Sequence, residues 1–183
     1  MLDIREYRDL DADSWLRCRL LSFFYTQYYD DVVTCRPLFE NPSIRLVAVD
    51  RGRVVGLMHV EVFGEKATID VIAVHPDHQR RGIATRLLEA TCEQLKDRRV
   101  GSLDAWTRED PGANHWYLQA GFAEAFRYVH VHKTDRDGAA GFETPSGLTR
   151  PLTAFMHAPV EMESAMRKRF ERVCVCRQYV RWL

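Results

Sequence analysis

The stretch Ile69–Leu88, IDVIAVHPDHQRRGIATRLL, decides how the rest of the chain is read. It opens as a β-rich run that stops at Pro76. It closes on a helix from about Gly82 to Lys96, with Ile83, Ala84, Leu87, Leu88, Thr91 and Leu95 on one face. A strand, a short turn and a glycine at a helix entrance make an anion site. The first helical turn presents unpaired backbone N–H groups and the positive end of the macrodipole, and Gly82 removes the side chain that would hold a phosphate away. Arg80, Arg81 and Arg86 add positive potential around it.

Upstream, IRLVAVD, RVVGLMHVEVF and KATIDVIAV are separated by the turn chemistries Asp50-Arg51-Gly52 and Gly64-Glu65-Lys66, which predicts an antiparallel meander of three strands over residues 44–74. Leu2–Tyr7 reads as an edge strand. Asp11–Ser14 supply capping oxygens for a first helix carrying Trp15, Leu16, Leu20, Phe23 and Phe24. Tyr25, Tyr28, Tyr29, Val32 and Val33 predict a second helical stretch ending before Pro37. Downstream, Val100–Trp106 reads as a strand, Gly112–Gln119 as a short helix stopped by Gly121, and Phe122–Lys133 as a long strand. Residues 134–151 are rich in Gly, Asp and Pro and predict a loop or hairpin-like insertion. Pro159 then opens a late helix, and Val173–Leu183 returns as the last strand.

The chain has 183 residues, 46% apolar and 28% charged, which suits a single domain with one sizeable core. Its 26 basic and 26 acidic residues leave no net charge, which counts against a nucleic-acid partner. No uncharged run approaches the roughly 18 residues that span a bilayer, and MLDIREYRDLD has no apolar leader core, so a cytoplasmic protein without a membrane partner is expected. Five scattered cysteines, Cys18, Cys35, Cys92, Cys174 and Cys176, read as free thiols.

Neither G-x-x-x-x-G-K-S/T nor G-x-G-x-x-G occurs, so a nucleotide P-loop or a dinucleotide site is unsupported. The hexapeptide Gln79-Arg80-Arg81-Gly82-Ile83-Ala84 instead resembles the Q/R-x-x-G-x-G/A pyrophosphate loop of the GNAT superfamily, the acyl-CoA-dependent N-acetyltransferases. A second stretch, Ala113-Asn114-His115-Trp116-Tyr117-Leu118-Gln119-Ala120-Gly121-Phe122, is similar to that family's A-x-x-x-Y-x-x-x-G-F helix and strand entry.

The resemblance implies an α/β fold of GNAT type, with a mixed and largely antiparallel sheet flanked by helices. It covers roughly residues 2–133, with an insertion at about 134–173 before the last strand. It also implies that the fourth and fifth strands splay apart. The edge at Ile72, Ala73 and Val74 would then bond the pantetheine of acetyl-CoA, and the pyrophosphate would sit on residues 79–84 with Thr85 close by. By the same resemblance Tyr117 is the proton donor to the departing thiolate, and a small-molecule or peptide amine is the acceptor. Many members carry Asn seven residues before this Tyr; here Asp110 stands there, and Asn114 is the nearest candidate for that cofactor contact. A base for the acceptor ammonium could be Asp70, Glu61, His59 or Asp104, with Asp70 the choice carried forward. An acyl-CoA-binding sensor of the same fold without turnover is the alternative, and a homodimer is possible.

Other features read as structure. His130 and His132 share a strand face but have no third ligand apparent nearby, so no metal is expected. Cys174 and Cys176 should pack on one face of the last strand, and the aromatic cluster Phe23, Phe24, Tyr25, Tyr28 and Tyr29 reads chiefly as core packing, with the tyrosines, through their polar tips, the alternative as walls of an amine pocket. The Arg167–Arg169 run is the wet face of the late helix.

Overall fold

The computed structural model describes residues 2–30, 33–138 and 140–183. A short edge strand, β1 (Asp3–Glu6), leads to helix α1 (Ala12–Phe23), and the expected meander follows as β2 (Ser43–Asp50), β3 (Arg53–Phe63) and β4 (Lys66–Val74). Helix α2 (Ile83–Asp97), β5 (Ser102–Thr107), α3 (Pro111–Gln119) and β6 (Ala123–Lys133) come next. The chain then forms β7 (Ala154–Ala158), α4 (Glu163–Arg169) and β8 (Arg172–Trp182). All eight strands join one sheet in the order β1-β2-β3-β4-β5-β8-β6-β7. Every neighbouring pair is antiparallel except β4 and β5. The mixed, largely antiparallel sheet flanked by helices is the one expected.

Helices cover both faces. The larger core lies under α2 and α3 and joins Met58, Val60, Ile69, Leu87, Leu95, Leu103 and Tyr117. Helix α2 comes close because β3 has no side chain at Gly56: a Cβ there would stand 2.7 Å from Cγ2 of Ile83. On the other face α1 buries Trp15 and Cys18 against Val47, Leu57, Val71 and Ala73. Leu20 of α1 was expected on its apolar face; it is 37% exposed, because the buried stripe runs instead through Trp15, Cys18 and Arg19. Under α4, Val129, Val131 and Phe170 form a third, smaller cluster.

Two expectations fail. Residues 24–30 form successive turns rather than a second helix, tied by the Thr26 hydroxyl donating to the Phe23 carbonyl, while Val32 of that stretch lies outside the described residues. The region 134–173 is not only loop and helix: Ala154–Ala158 pairs antiparallel with the end of β6 and adds an edge strand.

Candidate active site

The site begins where β4 and β5 part. They pair in parallel over Lys66–Ile69 and Ser102–Ala105, and no further. β4 nonetheless runs on to Val74, paired only with β3 through Met58–Ile72, Leu57–Ala73 and Gly56–Val74. The β5 side of Ile72, Ala73 and Val74 is therefore an unpaired sheet edge inside the molecule, offering backbone donors and acceptors to whatever lies in the gap. One acceptor is already engaged, since Gln79 Nε2 donates to the Val74 carbonyl at 3.2 Å.

At the departure point β4 carries a bulge. His59 pairs with Val71 and Val60 with Ile69, so Asp70 is the extra residue. The bulge shifts the alternation: Ile69 faces the α2 core and Val71 the α1 core, while Ile72 returns to the α2 side. Unbroken strand alternation would put Asp70 on one face with both Thr68 and Ile72, and the bulge breaks that alternation. Asp70 is exposed at the opening of the gap.

One end of the gap is closed by the entrance of α2. Gly82 has φ +73°, the left-handed region, and the space where a Cβ would stand is open. Arg80 also has positive φ, 59°, which curls the loop before it. The first regular helical bond runs from Arg86 N to the Gly82 carbonyl, so the amides of Ile83, Ala84 and Thr85 precede any i to i−4 partner. Arg80, Arg81, Gly82 and Thr85 are exposed, as an anion cradle requires, whereas the Ile83 side chain is buried against Gly56 and leaves only its amide to a ligand. Arg81 is anchored by Nη2 donating to the Asp77 carbonyl at 2.9 Å.

Tyr117 flanks the gap from α3. Its ring stacks on Tyr179 of β8 at 5.3 Å and meets Phe122 edge-on at 5.3 Å. The residue is 4% exposed, and burial pushes its phenol above the ordinary tyrosine value, with Tyr28 and Asp104 reinforcing the shift. It is a protonated phenol across the working pH range.

Asn114 is engaged within the protein. Its Nδ2 donates to the carbonyls of Arg108 and Asp110, both at 2.8 Å, and its Oδ1 accepts from the Tyr179 hydroxyl at 2.9 Å. Both amide protons are committed inside the protein, so its side chain braces α3 against the end of β5 and against β8. Asp110 accepts from the Gln27 amide at 3.0 Å and ties the turns after α1 to the end of β5.

The four base candidates separate on burial. His59 is fully buried, accepts from Trp15 Nε1 at 3.2 Å, and is pushed down to about 3 by desolvation and nearby Arg36, Arg45 and Arg19. It is a packing group, not a base. Glu61 accepts from the backbone and side-chain amides of Asn41. Asp104 accepts from the Thr68 hydroxyl and from Gln178 Nε2. Asp70 alone sits on the bulge at the gap.

An unforeseen feature lies beyond Ala105 on the α1 side of the sheet. Trp106, Phe126 and Tyr128 form a contiguous aromatic surface, with Trp106 5.5 Å from Tyr128 and 6.2 Å from Phe126. Trp106 is 38% and Phe126 57% exposed. Sequence alternation placed these rings on strands but could not show that β8 seats β5 and β6 on either side of it, bringing them together. Of the tyrosines weighed for a pocket wall, Tyr28 is half-buried with its hydroxyl accepting from Arg108 N, whereas Tyr25 is 88% exposed.

Comparison with known proteins agrees with this geometry. The sequence profile of the acetyltransferase (GNAT) family matches residues 4–122. The chain belongs to the GNAT acetyltransferase family. An acetyltransferase from Pectobacterium atrosepticum is 30% identical over 116 residues, 61% of this chain and 80% of that one. The mycothiol acetyltransferase of Clavibacter michiganensis is 30% identical over 124 residues, 63% of this chain but 40% of that protein. The fold is that of the Escherichia coli ribosomal-protein-S18-alanine N-acetyltransferase, with a TM-score of 0.63, 18% identity and coverage of 100% of this chain and 94% of that one. A GNAT acetyltransferase from Elizabethkingia anophelis with acetyl-CoA bound shares the fold at a TM-score of 0.57 and 14% identity, covering 100% and 98% of the two chains. As a GNAT acetyltransferase the chain is an acyltransferase with acetyl-CoA as co-substrate. No helix among the described residues is long and apolar enough to cross a membrane.

Proposed function

We propose that this GNAT acetyltransferase transfers the acetyl group of acetyl-CoA to a primary amine by direct attack in the gap between β4 and β5. The observation that carries the reading is the parting of those strands after Ile69 and Ala105, with an open helix entrance at one end and a protonated tyrosine beside it. Acetyl-CoA supplies an activated thioester. The backbone of Ile72, Ala73 and Val74 would pair with its amide-bearing arm as an added strand would, while the amides of residues 82–85, with Arg80 and Arg81, would receive the pyrophosphate. Gln79 contributes by fixing the loop to Val74 rather than by touching phosphate.

The chain's remaining task is proton management. An amine attacks only when neutral, and we assign Asp70, exposed on the bulge, to take its proton directly or through a water. Tyr117, packed on Tyr179 opposite the end of the β4–β5 pairing, is the group we assign to protonate the departing thiolate. The acceptor would approach on the α1 side over Trp106 and Tyr128, surfaces suited to a small molecule or a peptide end.

Calorimetric titration with acetyl-CoA tests the reading first. Binding to the wild type and its loss in Gly82→Glu are expected; the absence of binding to the wild type would reject it. An amine-library screen by thiol release then identifies the acceptor, with Asp70→Asn expected to move the acid limb of the pH profile.

A further inference from the structure

We propose that His130 and His132 of β6 and Cys174 of β8 form a three-ligand site for a zinc-class divalent ion, clamping two strands of the sheet. The register sets the geometry. His130 pairs directly with Cys174 and His132 with Arg172, so the two imidazoles and the thiol project from one sheet face. One ligand atom from each of the three lies within 4.8 Å of the others. The sequence shows only the two histidines, because Cys174 is brought across from them by the fold.

A second, independent observation concerns the ring nitrogens. His130 is 6% and His132 9% exposed, and each has one nitrogen without a protein partner: Nδ1 of His130 and Nε2 of His132. A buried, unpaired ring nitrogen is costly unless something small fills the place. The other nitrogen of each ring faces an oxygen. His130 Nε2 lies 3.0 Å from the Tyr128 hydroxyl, and His132 Nδ1 lies 4.0 Å from Oδ2 of Asp30. Metal-bound imidazoles turn one nitrogen to the ion and the other to an oxygen-bearing neighbour, a place the Tyr128 hydroxyl takes at His130.

Charge and softness select the ion. Two imidazoles and a thiolate suit zinc or cobalt over calcium or magnesium, which prefer oxygen. The guanidiniums of Arg108 and Arg172 lie near the site, each paired with Asp30. The same guanidiniums would repel a bare cation. Asp30 offsets them, bonding both Nη1 and Nη2 of Arg172 and standing 3.5 Å from Nη1 of Arg108. Cys174 supplies a second negative charge on ligation, its S–H proton passing to solvent as the sulfur–metal bond forms. The fourth position is left to water on the side of β7, where the exposed His157 ring stacks on His130 at 5.0 Å.

The site does not depend on acetyl transfer, and its test does not use activity. Tag-free protein stripped with a chelator is titrated with cobalt. A single equivalent should give a tetrahedral visible spectrum with a thiolate-to-cobalt charge-transfer band, which zinc then displaces. Cys174→Ser should abolish that band and weaken zinc binding more than about 100-fold, beyond what loss of an outer-shell partner costs. His132→Gln should weaken zinc by a comparable factor while keeping the charge-transfer band at high cobalt, and Cys92→Ser, in the α2 core, should change neither. No tetrahedral complex in the wild type, or a charge-transfer band that survives Cys174→Ser, overturns the assignment.

Discussion

At the scale of the residue, Tyr117 is asked both to fill space and to give up a proton, and its hydroxyl separates the two roles. The ring is packed by Trp116, Phe122 and Tyr179, contacts that a phenylalanine would keep. Tyr117→Phe should therefore leave thermal stability and acetyl-CoA affinity near wild type while lowering kcat about 10²–10⁴-fold, the usual worth of a positioned acid. Steady-state thiol release, with calorimetry as the folding control, reads the difference, and an unchanged kcat would make Tyr117 a packing residue. Asn114 should behave in the opposite way. It joins Arg108, Asp110 and Tyr179 through three hydrogen bonds, each contributing about 0.5–1.5 kcal/mol net, so Asn114→Ala should lower the unfolding midpoint yet leave the acetyl-CoA Kd within a few-fold. A large rise in Kd without loss of stability would restore the cofactor contact inferred from its place near the motif.

At the scale of the element, the entrance of α2 depends on one backbone conformation. With φ +73° at the position before the helix, Gly82→Ala costs about 1–2 kcal/mol of local strain although its methyl meets no protein atom. The strain falls on the loop that would receive phosphate, so acetyl-CoA affinity should drop several-fold with little change in global unfolding; equal affinity would show that the cradle tolerates a side chain. This element was legible in the sequence because its causes are local: a strand run, a proline stop, a glycine, then apolar residues at helical spacing. The meander was legible for the same reason, its turns being written in Asp50–Gly52 and Gly64–Lys66. The bulge at Asp70 was not, because it is a mismatch between two strands and no single strand records it. Cys174 opposite His130 is hidden for a related reason, since that pairing joins residues separated by α4 and β7. The turns at 24–30 carry aromatic spacing that imitates a helix, yet they are held by Tyr28 to Arg108 and by Gln27 to Asp110, contacts distant in sequence.

At the scale of the whole molecule, the absence of net charge conceals an uneven interior. Asp30 is held down to about 2 by Arg172, so the tie it makes between the first turns and the last strand persists until pH falls through roughly 4 to 2. Histidine governs the range above that. His59 is pushed down to about 3, and His130 and His132 to about 4, all chiefly by desolvation. In the unfolded chain each would take a proton near pH 6.5, so between about pH 6 and 4 the unfolded state binds more protons than the native one. The sign follows: these groups lend full stability above the unfolded value, and it is lost as pH falls toward the folded values. Each buried histidine contributes a slope of up to about 1.4 kcal/mol per pH unit in that window. Urea unfolding of metal-free protein at pH 7, 6 and 5 should therefore show a falling midpoint while Asp30 stays ionised. Replacing His59 with glutamine, which cannot protonate, should flatten the decline by that residue's share even if it lowers stability at pH 7. A midpoint independent of pH, or a slope unchanged by His59→Gln, would mean that the buried imidazoles are protonated in place and that the guanidiniums around them are better screened than their packing implies.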